Sequence, residues 1–228
     1  PLFDELLNRE IADVNAFKNW LSDMSELSEE ISETLGRAYI AFNRNTRDAE
    51  AKERYSFLIR EVIPQVTVAH NKLNKRFVSH PEFENLSGEY RNMKLEAESE
   101  QRLFRSENVP LKTELSELES QFGEIAGGMA VEMEGKELTI QQASAMLKES
   151  DRDLRERVFV KIADEKIAHK ARFNELFDKL VTLRNTVARN AGFDNYRDYR
   201  FAELGRFDYT PEDCYEFHRV IKSEIVPL

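Results

Sequence analysis

From Gln141 to Ala191 the chain reads QQASAMLKES DRDLRERVFV KIADEKIAHK ARFNELFDKL VTLRNTVARN A, without a glycine or a proline. Within it Phe173, Leu176, Leu180, Leu183 and Val187 recur at steps of three and four, which puts them on one face of a helix. Such a seam belongs to long helices packed nearly antiparallel, or to a bundle. A stretch of this length with no helix breaker sets the class of the molecule: mostly α, built from long helices, with no large sheet.

The same periodicity extends outward. Phe3, Leu7, Ile11, Val14, Phe17 and Leu21 line one helical face, and Leu27, Ile31, Leu35, Ala38 and Phe42 continue it. Ala51, Tyr55, Leu58 and Val62 predict a third helix, which Pro64 breaks or kinks. Val66, Ala69, Leu73 and Phe77 carry a fourth to His80-Pro81, and Glu84 to Arg105 reads as a polar helix interrupted by Gly88. After the break Ser106–Pro110 a helix is expected over about 111–125, closed by Gly127-Gly128. The strand signal is confined to 129–140, where Glu134-Gly135 separates two short runs as in a hairpin. Such a hairpin needs helices to pack on. Asn190 to Arg206 reads as a loop-rich connection, and Thr210-Pro211-Glu212-Asp213 as a helix start: a hydroxyl cap, a proline in the first turn, then acids. Three segments are expected: a helical one over 1–105, a helix–hairpin–long-helix one over 106–190, and a connection with a final helix over 191–228. There is no internal repeat.

Composition agrees. The chain has 228 residues, with 8 glycines and 6 prolines, about half the usual share and too few turn residues for a sandwich or barrel. A formal net charge of −10 repels phosphate backbones and anionic lipid, so nucleic acid and membrane surfaces are not expected as partners. The one cysteine, Cys214, rules out an internal disulfide framework and fits a reducing compartment, the cytoplasm. No apolar run has the length that spans a bilayer. The opening Pro1-Leu2-Phe3 lacks both a methionine and a basic-then-apolar leader, which suggests a trimmed start.

Residues that carry chemistry are few. A zinc hydrolase helix needs two histidines one turn apart with a glutamate beside the first; His70, His80, His169 and His218 are never four apart, and no HExxH occurs. Cys214 and His218 share a helix face, as half a metal site or a thiol–imidazole dyad would; without a third ligand or an orienting group, chance adjacency is the simpler reading. His169 and His70 lie beside apolar stripes and read as hydrogen-bonded structural residues. Paired acids such as Glu29-Glu30 read as solvated helix faces. The aromatic set Phe193, Tyr196, Tyr199, Phe201, Phe207 and Tyr209 would suit a ligand groove or, more simply, packing between subdomains. Asp208, Tyr209 and Thr210 are expected at such a junction. Gly127-Gly128 lacks the lysine and hydroxyl of a phosphate loop. No catalytic, cofactor-binding or metal-binding residue is assigned.

Several stretches resemble the N-terminal lobe of the oligoendopeptidase F family: Leu138 to Leu147 followed by Asp151 to Arg157, Asn174 to Arg184, Asn190 to Tyr199, Arg206 to Asp213, and Leu6 to Leu27 with Trp20-Leu21-Ser22-Asp23. The likeness covers essentially the whole chain and is strongest from about Glu107 onward. It implies a mostly helical zinc metallopeptidase in which two lobes enclose a channel for short peptides. The metal would be held in the C-terminal lobe by the histidines of HExxH and a downstream glutamate, none of which matches a position here. This chain would then be one wall of the channel plus the first helix leading into the catalytic lobe, inactive alone, binding no zinc, and with that lobe as its partner. The competing reading is a free-standing helical module that binds a peptide or protein through Phe193–Tyr209. A thiol enzyme using Cys214 ranks below both.

Overall fold

Helices begin where a side chain can satisfy the orphan amides of a first turn, and here the caps can be followed residue by residue. The computed structural model describes residues 1–228. Helix α1 (Leu2–Asn8) is followed by α2 (Val14–Arg44), whose first amides, those of Asn15 and Ala16, donate to the Asp13 carboxylate. Asp48 caps α3 (Ala49–Phe57). A π-helical turn over Leu58–Val62 leads into α4 (Ile63–Ser79). Pro64 accounts for that turn, because it has no amide proton and its ring crowds the carbonyl four residues back. Two 3₁₀ turns at Pro81–Phe83 and Gly88–Tyr90 precede α5 (Arg91–Leu103), and α6 covers Asn108–Gly128.

Strands β1 (Ala130–Met133) and β2 (Lys136–Thr139) form the hairpin, antiparallel, with Val131 opposite Leu138 and Met133 opposite Lys136. Thr139 and Gln142 then make a reciprocal capping box for α7 (Ile140–Ala145), and Asp151 caps α8 (Arg152–Ala168). Helix α9 (Lys170–Asn190) follows after the single residue His169. Asn195 caps α10 (Tyr196–Glu203), and a second capping box, Thr210 with Asp213, opens α11 (Pro211–Val220), which ends in a π-turn over Ile221–Ile225.

The chain divides into two compact units. The first holds residues 1–33, 61–112 and 184–228, and the second 34–60 and 113–183. In the first, Phe17, Trp20, Leu73 and Phe77 are completely or almost completely buried at the centre of a core that α1 and α5 close through Leu6 and Ala97. In the second, Val131 and Met133 of the hairpin pack with Ala143 of α7 and Val158 and Ile162 of α8. The hairpin thus gains the helical support that two strands need in water.

The fold class is the expected one: helices throughout and a single two-stranded hairpin within 129–140. Four local readings are corrected. The face from Phe3 to Leu21 is not one helix; it breaks over Arg9–Asp13 because Asp13 starts a new one, and the spacing survives the break because both helices face the same core. The polar helix begins at Arg91 rather than Glu84, since Pro81 and Gly88 hold the chain in 3₁₀ turns. The helix after Pro110 starts earlier, at Asn108, and runs through Gly128. The connection Asn190–Arg206 contains α10, bracketed by Gly192 and Gly205 at φ +86 and +62. The residues of α2, α6 and α9 are shared between the two compact units.

Candidate functional site

A set of interacting polar side chains in the first unit surrounds α10. Tyr199 and Glu203 lie one turn apart on that helix, and Tyr199 is 1% exposed. Its hydroxyl donates to Glu203 Oε1 at 3.1 Å, and Lys112 Nζ donates to the same oxygen at 2.6 Å while standing 5.5 Å from the centre of the Tyr199 ring. Arg200 donates to Glu203 Oε2 at 2.5 Å. Burial raises the proton affinity of Glu203, but Lys112 and Arg200 outweigh it and hold the carboxyl below its usual range. Burial likewise works against the charge on Lys112, yet Glu203 and Tyr199 leave it above the ordinary lysine value, and burial pushes the Tyr199 phenol up. At neutral pH the three are therefore ammonium, carboxylate and phenol, each answered by the others. Such a set locks a helix in place; it offers no proton to a substrate.

Neighbouring groups reinforce the lock. Asn108, 2% exposed, donates to the Val187 carbonyl at 2.9 Å and accepts from Asn190 at 2.8 Å. Phe193 meets Tyr199 edge-on at 5.7 Å, Tyr196 stacks on it at 5.9 Å, and Arg102 lies over Phe193. Phe201 meets Tyr209 edge-on, with Arg206 against both rings. Of the aromatic set picked out in the sequence, Phe193, Tyr196, Tyr199, Phe201 and Tyr209 thus pack on one another and on cations inside the first unit. Tyr209, expected at a junction, is 45% exposed, and Asp208 lies at the surface within 3.9 Å of Arg91.

The histidines are not brought together. His70 Nδ1 lies 3.8 Å from Glu100, whose carboxyl burial pushes up. His80 caps a 3₁₀ turn, accepting from the Glu82 amide, and stacks on Phe17. His169 Nε2 is 3.1 Å from Glu165 at the end of α8. His218 is exposed on α11 beside Phe217, one turn from the half-buried Cys214. No three His, Cys, Asp or Glu side chains converge as metal ligands do, so the residues of this chain do not fit a zinc site.

The second unit has an open polar groove of about 300 Å³ between the ends of α2 and α6 and the hairpin, lined by Arg44, Thr46, Arg47, Glu137 and Gln142, with Arg47 3.8 Å from Glu137. Glu137 is the one carboxylate of its lining, which has no histidine, cysteine, serine or lysine. The sequence reading missed Lys112 and Glu203, and the usable signal was the Tyr199/Glu203 spacing of one helical turn, hidden once the segment was taken for a loop. No helix is long and apolar enough to cross a membrane.

Known proteins give this geometry a setting. Residues 2–113 match the model of the peptidase M3 N-terminal domain. Solved structures with the same fold include PZ peptidase A with an inhibitor (24% identity, TM-score 0.90), a protein assigned as an oligoendopeptidase F (24%, 0.92) and another so assigned from Bacillus anthracis str. Ames (22%, 0.90). Each alignment takes in 99% of this chain but only 40%, 40% and 41% of the other, so the chain spans about two fifths of the length of the structures it matches. At these identities the likeness to the solved structures is one of fold. No curated protein matches the sequence.

Proposed function

We propose that the chain, whose residues 2–113 match the peptidase M3 N-terminal domain and whose fold is that of oligoendopeptidase F, is the non-catalytic N-terminal portion of a zinc-dependent oligopeptidase that cleaves short peptides. In this reading the chain forms one wall of the substrate channel and acts by shape. A narrow channel admits short unfolded peptides and excludes folded proteins, while the chemistry is done by the parent's own catalytic lobe. The metal is held there, because the histidines here are dispersed and no HExxH is present. When bound, zinc would polarise the scissile carbonyl and activate a water; no residue of this chain takes part in that step. A cytoplasmic location belongs to the same reading, supported by the single cysteine.

The observation that carries the proposal is the alignment of 99% of the chain with two fifths of an oligoendopeptidase F fold. The test is to express the parent polypeptide and the 228-residue chain separately and assay both on a fluorogenic peptide and on a folded protein. The parent is expected to cut the peptide alone and to lose activity to a chelator, with the shorter chain inactive and free of stoichiometric zinc. Peptide hydrolysis by the shorter chain, or equal cleavage of the folded protein by the parent, would refute it.

A further inference from the structure

We draw no further inference here: the strongest candidate, the exposed apolar patch of the second unit where Phe122 of α6 meets Phe173 of α9 and where Phe177 and Val181 continue it at one-turn steps along α9, carries none, because nothing in the structure shows what covers it.

Discussion

Lys112 and Glu203, 91 residues apart in the sequence, meet at 2.6 Å, and Tyr199 hydrogen-bonds the same carboxylate oxygen. The contact fastens α10 to the start of α6, and its energetics follow from partial burial. Glu203 is held below its ordinary value, so its contribution to stability is fully present above about pH 4.5, its unperturbed value, and is lost as the pH falls through the depressed one. Lys112 is held above its ordinary value, so its contribution is present below about pH 10.5 and is lost as the pH rises further. Glu203→Gln is expected to cost about 1–2 kcal/mol at pH 7. It should also flatten the acid side of the stability curve, whereas Lys112→Met should flatten the alkaline side. Urea midpoints across pH check this; acid limbs that are parallel in the wild type and Glu203→Gln would refute it.

Trp20 is 0% exposed, and its indole N–H donates to the Leu6 carbonyl at 2.8 Å, closing the break between α1 and α2. The guanidinium of Arg76 donates to the same carbonyl at 2.5 Å and lies over the indole. Trp20→Ala should cost about 3–5 kcal/mol, as large-to-small changes in cores do. Trp20→Phe should cost only about 1–2 kcal/mol, because Arg76 keeps the Leu6 carbonyl satisfied. Chemical denaturation followed by circular dichroism separates the two; equal losses would show that the hydrogen bond, and not volume, dominates.

These two sites show what a sequence can display. Phe17, Leu73 and Phe77 were readable as core because each belongs to a stripe whose period is that of one helix, whereas Trp20 lies outside the stripe that Phe17 and Leu21 mark. The hairpin was readable because its turn chemistry is local. The break over Arg9–Asp13 was not, since the stripe on either side serves one core and the periodicity runs through it. Helix α10 was hidden by Gly192 and Gly205, which mark its ends and read as loop residues. The Lys112–Glu203 pair was out of reach altogether: in a chain with 43 acidic and 33 basic residues, which charges meet is decided by tertiary structure. The resemblance to a peptidase lobe supplied the setting, and neither composition nor spacing did.

The hairpin turn carries a local conflict. Glu134 and Gly135 both have positive φ, 53 and 76, a conformation that glycine and asparagine tolerate far better than glutamate. Glu134→Asn is therefore expected to stabilise the second unit by about 0.5–1 kcal/mol, and Gly135→Val to destabilise it by about 1–2 kcal/mol. Thermal melts of both variants against the wild type provide the check, and a neutral Gly135→Val would mean that the turn has no restricted conformation to defend.

His80 is the residue through which mild acid should act on the first unit. Its ring stacks on Phe17 at 4.4 Å, and its Nδ1 accepts from the Glu82 amide at 3.2 Å. An accepting Nδ1 carries no proton, so the native contact requires the neutral imidazole. Burial lowers the proton affinity of His80, the positive charge of Arg76 lowers it further, and Glu82 opposes both more weakly. The folded state therefore binds fewer protons than the unfolded one just below the ordinary value of 6.5. Stability is fully present above that pH and declines as the pH falls through the window beneath it. His80→Asn keeps an acceptor for the Glu82 amide while removing the titration and the stacked ring. It should cost about 1 kcal/mol at pH 7.5 but lose less than the wild type between pH 7.5 and pH 5. Equal losses over that interval would place the acid sensitivity elsewhere than at His80; the Glu100 carboxyl, which burial pushes up, gains stability as the pH falls and would not account for it.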